Sequence, residues 1–435
     1  MDKALSKYLE QHAEQWIFPA LDSLTLESVY RHGIIIPCHA EGERIIATLE
    51  SLPEPDEPIV VIVIINGRAS DADSVLELNR KTLQAIEDRY SRQPTENGVV
   101  RQYAFTHGTL LTCLCFEDER ALPDREGVGL ARKIATDAAL YLWTKGRIQS
   151  PYLLCSDADV YFPADLYEQL GSDVGRTSPS ARLLPYWHQP EPDTPEVRHA
   201  SALYEVSLRY YVLGLRYAGS PYAFHTIGST IAVHALDYAR ARGFPKRLAA
   251  EDFYLLNKLH KIRPVQCTTG DPLRIAGRVS HRVPFGTGKA VDTILTTGDW
   301  PMYAPDTFSY LRELLLDIEQ AAITPNMWLS APGDAPQNPA YRCLQELGYL
   351  DALSKRIIDA PNPAQARTRA HTYFDAFKTL KLVHQLRDTY CPGVPVFRAL
   401  HNAPFITNLP ESVTDLDTIR AALMSAEMQS NRELV

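Results

Sequence analysis

The chain has 435 residues, of which 45% are hydrophobic and 22% charged, and a formal net charge of −9. That length exceeds one ordinary hydrophobic core and predicts two domains, or one domain with a large annex. The acidic balance excludes a general nucleic-acid binder, which needs a basic footprint, and no apolar run is long enough for a membrane span.

Residues 1–30 read as a helical lead-in and lack the apolar core of a signal peptide. Gly33-Ile34-Ile35-Ile36-Pro37 predicts a first strand, followed by the loop Cys38-His39-Ala40-Glu41-Gly42. A helix with Ile45, Ile46, Leu49 and Leu52 on one side stops at Pro53. The continuous apolar run 59–65 predicts a parallel strand buried on both faces, ending at Asn66-Gly67. Ser70 or Asp71 can cap the next helix, which runs to about Tyr90. Residues 110–116 predict a third strand. Residues 127–143 predict an amphipathic helix with Ala131, Ile134, Ala135, Ala138, Tyr141 and Leu142 inward. The run Tyr152-Leu153-Leu154-Cys155 is the next buried strand.

Beyond Asp159 the pattern loosens. Residues 185–195 are proline-rich, 205–217 predict an aromatic helix whose Tyr204, Tyr211 and Tyr217 read as packing groups, and 229–233 predict a strand. Another helix opens at Glu251-Asp252, and from about Trp300 the chain reads as helical with proline-rich joints. The strand–helix alternation predicts an α/β fold with a mostly parallel, doubly wound central sheet and a helical C-terminal annex. The expected division is a lead-in over 1–30, a catalytic domain over 31–300 and a helical region over 301–435. No G-x-G-x-x-G follows the first strand, and no G-x-x-x-x-G-K-[ST] occurs. A dinucleotide oxidoreductase and a Walker-type NTPase are therefore disfavoured. Seven scattered cysteines, mostly in apolar contexts, predict buried thiols in a reducing cytoplasm.

Four segments carry candidate chemistry. In Ser156-Asp157-Ala158-Asp159 two carboxylates stand where a central strand ends, the edge at which open α/β sheets bind ligands. Such close acids repel unless a cation lies between them, and hard oxygens suit Mg²⁺ or Mn²⁺. The bland alternative is a helix cap. Glu251 and Asp252 open a helix, either as dipole-favoured capping charges or with a general base among them. The segment from Gly277 to Lys289 sets Arg278, Arg282, Lys289 and His281 around glycines, which suits a diphosphate, with His281 a candidate metal ligand. Gly127 and Gly129 precede Arg132 and Lys133 at a helix start, where a backbone can approach an anion.

The order of these motifs resembles an inverting family-two glycosyltransferase of the GT-A fold. The resemblance covers about residues 32–290. It is carried by Pro37-Cys38-His39-Ala40-Glu41, by Asn66 after the second strand, by Gly127 with Ala131 and Arg132, by Asp157 and Asp159, and by Glu251-Asp252. It implies transfer of a sugar from a nucleoside diphosphate sugar to an acceptor hydroxyl on a small molecule, glycan or lipid-linked carrier. Asp252 would be the base, with Glu251 beside it. Pro37, His39, Glu41, Asn66, Arg132, Asp157, Gly228, Ser229, Arg282 and Lys289 would hold the donor. Asp157, Asp159 and His281 would hold Mn²⁺ or Mg²⁺. Apart from the resemblance, the C-terminal annex is expected to shape the acceptor site or to mediate a homodimer, and the acidic charge leaves nucleic acid out as a partner. The chain departs from the family pattern at His39, at Ala40 and at Asn66-Gly67-Arg68, which leaves the nucleobase open. The segment His281-Arg282-Val283-Pro284-Phe285 also resembles the metal-histidine loop of retaining glucosyl-3-phosphoglycerate synthases, so stereochemistry stays open. A sugar nucleotidyltransferase and a non-catalytic scaffold on the same fold are the alternative readings.

Overall fold

The computed structural model describes residues 2–95, 98–171, 178–279, 286–324, 338–407, 409–410 and 412–433. His281 and Arg282 lie outside the described residues. The chain forms two compact units, one of residues 1–193 with 226–289, the other of residues 194–225 with 290–435.

The first unit is α/β. Its described strands are β1 (Gly33–Cys38), β2 (Ile59–Asn66), β3 (Arg92–Gln93), β4 (Val100–Phe105), β5 (Gly108–Cys115), β6 (Tyr152–Cys155), β7 (Val160–Tyr161), β8 (Ala181–Leu183), β9 (Tyr186–Pro190), β10 (Ile231–His234), β11 (Val265–Cys267) and β12 (Leu273–Gly277). Nine of them form one sheet in the order β11-β8-β10-β6-β1-β2-β5-β4-β3. The central four, β6, β1, β2 and β5, are parallel, with Ile34 opposite both Val61 and Leu154, and Ile62 opposite Leu111. Every residue of β1 and β2 is buried, as unbroken apolar runs require of strands covered on both faces.

The sheet is mostly parallel, as expected, and its antiparallel pairs lie at the flanks. The strand β10 runs antiparallel between β6 and β8, and β4 folds back antiparallel on β5. A smaller sheet, β7-β12-β9, leaves from the end of β6.

The helix Gly127–Thr144 is buried nearly all round, which exceeds the one-sided burial its periodicity predicts. The N-terminal lead-in covers its outer face. Tyr8 donates to Asp137 at 2.5 Å, Lys133 donates to Tyr8 and Asp137 at 2.6 and 2.9 Å, and Phe18 stacks on Tyr141 with centroids 4.2 Å apart. Tyr141 is accordingly half-buried, not inward like Leu142.

The second unit is helical. Its core joins the helix Pro195–Tyr217, through Val206, Tyr210 and Leu213, to Phe308, Leu311, Leu382 and Ile419 of later helices. Tyr204, Tyr211 and Tyr217 pack against Trp300, Tyr303 and Phe405, as their aromatic spacing predicts. A buried ionic cluster crosses this core. Arg209 is held by Glu205 at 2.7 Å and Glu427 at 2.5 Å, and Arg420 reaches Glu205 at 3.2 Å. No helix among the described residues is long and apolar enough to cross a membrane. None of the seven cysteines is in a disulfide, and all but Cys267 are buried.

Candidate active site

The carboxyl ends of the parallel strands carry the candidate residues of the first unit. At the end of β6 the chain turns through Ser156, Asp157, Ala158 and Asp159 into β7. The two acids point to different partners.

Asp157 accepts from Arg132 Nη2 at 2.6 Å, and Arg132 Nε donates to Glu251 at 2.9 Å. Arg132 Nη1 donates to the carbonyls of Ser156 and Gly228 at 3.1 and 3.0 Å. One guanidinium thereby ties together the helix Gly127–Thr144, the end of β6, the turn before β10 and the start of the helix Glu251–Ile262. A Cβ on Gly228 would lie 2.6 Å from Arg132 Nη2, so a side chain here would displace the guanidinium. Arg132 was expected to face the diphosphate. It is 3% exposed with four protein acceptors, so it acts by positioning its neighbours. The glycines before it also serve the chain itself. A Cβ on Gly129 would meet Pro245 O and the Arg247 backbone at 2.5–2.6 Å, so the close approach is to that segment.

Asp159 accepts from Arg278, at 3.2 Å from Nε and 2.9 Å from Nη2. The same Nη2 lies 2.6 Å from both oxygens of Glu41. Arg278 follows β12, Glu41 follows β1, and Asp159 follows β6, so a second arginine joins three strand ends. Glu41 is buried, 7% exposed. Burial pulls the Arg278 guanidinium down, but Asp159 and Glu41 outweigh it and hold its pKa above the ordinary value.

Asp252 stands apart from both arginine clusters in its bonding. Its only hydrogen bond among the described residues comes from Phe253 N at 2.7 Å. Its carboxyl is pushed up to about 7, first by burial and then by the Glu251 charge; the Phe253 N–H and Arg132 oppose the rise. Burial also pushes Glu251 up, against the pull of Arg132. Ala250, immediately before them, is left-handed with φ +61°, a conformation that costs an L-residue roughly 1–2 kcal/mol and clusters at functional sites.

The loop after β1 is held by residues that motif reading passed over. His39 Nε2 lies 2.8 Å from Asp71, whose carboxylate also accepts from Arg68 N at 2.8 Å and Arg68 Nε at 2.9 Å. Burial alone would raise the Asp71 carboxyl, but the Arg68 N–H, His39 and the Arg68 side chain hold it below its ordinary value. Asp71 thus turns back to the loop and does not cap the helix Asp73–Arg89, whose N-cap is Ala72. Asn79, fully buried in that helix, accepts from Ala40 N at 2.8 Å and donates to Asn66 O at 3.0 Å. Ala40 is left-handed, φ +56°. Asn66 is 4% exposed, and its Oδ1 is a buried acceptor with no partner among the described residues. A ligand N–H at this strand end would satisfy it.

Pro37 is a buried residue of β1, opposite Ile64. Ser229 is buried in the turn before β10, and Lys289 is exposed in the first turn of the helix Thr287–Thr297. The structure therefore brings His39, Glu41, Asn66, Asp157, Asp159, Gly228, Glu251 and Asp252 to one edge of the sheet through Arg132, Arg278 and Asn79. Arg278 could have been read from its place just after a strand, inside the cationic segment.

The described residues do not by themselves make a metal donor set. Asp157 and Asp159 each have an arginine counter-charge, and no group of three His, Cys, Asp or Glu side chains among the described residues is placed to hold an ion. His281, the expected third ligand, is outside the described residues.

No protein-family model matches the chain, and no curated protein matches it. Among solved structures, S. aureus TarS 1–349 in complex with UDP-GlcNAc is similar to it at TM-score 0.38 and 12% identity, over 93% of this chain and 91% of that chain. A likeness at that level carries no argument about activity.

Proposed function

We propose that the first unit is a glycosyltransferase. It would bind a nucleoside diphosphate sugar at the carboxyl ends of β1, β2 and β6 and transfer the sugar to an acceptor hydroxyl. The observation that carries this reading is Asp252. A half-buried carboxyl with a pKa of about 7, at a helix start beside an arginine-bridged acid pair, is suited to take a proton near neutral pH.

Asp252 would accept the acceptor's hydroxyl proton as the oxygen attacks the anomeric carbon with inversion, the C–O bond to the diphosphate breaking so that the nucleoside diphosphate leaves with that bond's electron pair. Arg132 would hold Asp157 and Glu251 so that Asp252 keeps its place. His39, braced by Asp71, and Asn66 Oδ1, which has no partner among the described residues, would take the nucleoside. Five described acids face two described arginines here, namely Glu41, Asp157, Asp159, Glu251 and Asp252 against Arg132 and Arg278. A diphosphate in this setting needs further positive charge. Arg282, Lys289 and Mn²⁺ or Mg²⁺ held with His281 are the proposed sources, and titration with and without Mn²⁺ measures the ion's share.

The test is Asp252→Asn. Calorimetry should give unchanged nucleoside diphosphate affinity, while transfer from the sugar nucleotide falls at least 10³-fold. The wild-type rate should rise with pH through about 7 as Asp252 loses its proton. Near-normal turnover in the variant would remove Asp252 as the base and inversion with it.

A further inference from the structure

Residues 240–263 are rich in lysine and arginine, and their only acids, Glu251 and Asp252, belong to the candidate active site. The outer side of this segment is therefore cationic, in a chain of net charge −9. Some of these cations are neutralised within the fold. Arg240 and Arg263 pair with Asp237, and Lys246 pairs with Glu14 at 2.6 Å. Arg242, Arg247 and Lys258 are exposed, and none has a carboxylate partner among the described residues.

These three follow one another away from Asp252. Arg247 precedes the helix Glu251–Ile262, and its guanidinium lies over the Tyr254 ring, 4.1 Å from the centroid. Lys258 is one turn beyond Tyr254 on the same side of that helix, and about 9 Å along its axis from Asp252. Lys258 Nζ donates to Ala241 O at 3.3 Å, which brings Arg242 next to it in the chain. Gly243 then packs closely on the N-terminal helix Lys3–Gln11, where a Cβ would lie 2.2 Å from the Tyr8 hydroxyl. Exposed Lys7 of that helix and half-buried His12 at its end continue the row. The charges act on one another. Partial burial, then Arg242, Arg247 and Lys133, pull the Lys258 pKa down. Burial, then Arg242, Lys133 and Lys7, do the same to His12. Folding has thus gathered like charges that an anion from outside would stabilise.

We propose that this row is the track of a polyanionic acceptor, a linear chain repeating phosphate or carboxylate groups, whose end reaches Asp252. Arg247 and Arg242 offer forked donors to such groups, and Lys258 and Lys7 offer point charges. Cations strung out from the base suit a linear polymer better than a compact anion. An anionic membrane surface fits less well, because no large apolar side chain is exposed among residues 240–263 or on the helix Lys3–Gln11 to enter it. A single-stranded nucleic acid needs open rings for its bases, and the Tyr254 ring is already covered by Arg247. The role as acceptor track rests on the glycosyltransferase reading; the polyanion site itself does not.

Calorimetry with polyphosphate and polygalacturonate tests it without donor present, with dextran, oligo-dT and phosphatidylglycerol vesicles as comparisons. The wild type should bind both polyanions, with affinity falling steeply between about 50 and about 200 mM salt. Arg247→Ala and the double variant Arg242→Ala/Lys258→Ala should each lose about tenfold or more in affinity, and Arg242→Lys/Lys258→Arg, which keeps both charges, should retain it. Arg89→Ala removes an exposed cation paired with Glu50 on another helix and should bind as the wild type does. Thermal shifts with UDP and GDP separate the two readings. If the wild type binds polyanions through Arg242, Arg247 and Lys258 but no nucleoside diphosphate, the transfer reading fails and the polyanion site stands. If it binds a nucleoside diphosphate but neither polyanion, the track fails and the transfer reading stands. Equal binding by the alanine variants, equal binding of dextran, or tighter binding of oligo-dT or of the vesicles would likewise overturn the track.

Discussion

Asp252 is held in a way that costs the fold stability. Its pKa is about 7 in the fold against 3.8 for an unperturbed aspartate, so the native state binds the proton more tightly than the unfolded chain. Between those values the native state carries more protons, and stability falls as pH rises. Asparagine cannot ionise and escapes this loss. Asp252→Asn should therefore be more stable than wild type, with the gap growing by roughly 2–3 kcal/mol between pH 5 and pH 8. Urea denaturation at the two pH values measures it; a constant gap would mean the carboxyl is not raised. Arg278 presents the opposite case. Arg278→Met leaves Glu41 buried without this counter-charge, and removal of one partner of such a pair costs about 3–5 kcal/mol. Because Asp157 and Asp159 already have arginines, EDTA should leave the melting temperature of the donor-free wild type unchanged, whereas Arg278→Met should lower it clearly.

At the level of elements, the strands that run apolar end to end were legible, and their partners were not. The uninterrupted burial of β2 follows from its composition, because only a strand covered on both faces tolerates Ile59 through Ile65. The place of β10 between β6 and β8 depends on register contacts between residues some 80 apart, such as Ala232 with Leu154, which no local pattern records. The short β3–β4 edge was missed because a two-residue strand such as β3 has no periodicity to read. The same limit applies in the candidate site. The spacing of Asp157, Asp159, Glu251 and Asp252 marked a strand end and a helix start. The arginine that joins Asp157 to Glu251 is 119 residues from Glu251, and only the fold reveals it. Asn79 was invisible for a related reason, since a polar residue in a helix reads as surface until the helix packs. It bridges the loop after β1 to the end of β2. Asn79→Leu should leave Ala40 N and Asn66 O without partners, cost about 1–3 kcal/mol and weaken nucleoside diphosphate binding as His39 and Asn66 lose their fixed spacing. Calorimetry on the folded variant separates the two effects; unchanged affinity would show that Asn79 serves stability alone.

At the scale of the whole molecule, two cores share one chain that passes between them more than once. The helix Pro195–Tyr217 lies, in sequence, inside the 31–300 span expected for the catalytic domain, yet its apolar side packs with helices that follow residue 300. Val206, Tyr210 and Leu213 on that helix are 0%, 0% and 7% exposed against partners that include Phe308, Leu311 and Ile419. Its Arg209 and Glu205 are completed by Glu427 and Arg420 near the C-terminus. A chain ended at residue 300 would therefore strip both the apolar cover and the counter-charges from a helix retained in the fragment. Exposed apolar patches of that size drive association, and an uncompensated buried ion pair adds to the instability. The fragment should elute as aggregate on size exclusion, and urea melts should lack a cooperative transition for the retained helix. The companion variant Arg209→Met in the full chain leaves the first unit's sequence intact. It should weaken the helical unit by several kcal/mol while nucleoside diphosphate affinity stays within about twofold. A monomeric, nucleotide-binding fragment ending at residue 300 would show that the helix Pro195–Tyr217 does not depend on the C-terminal helices for its burial.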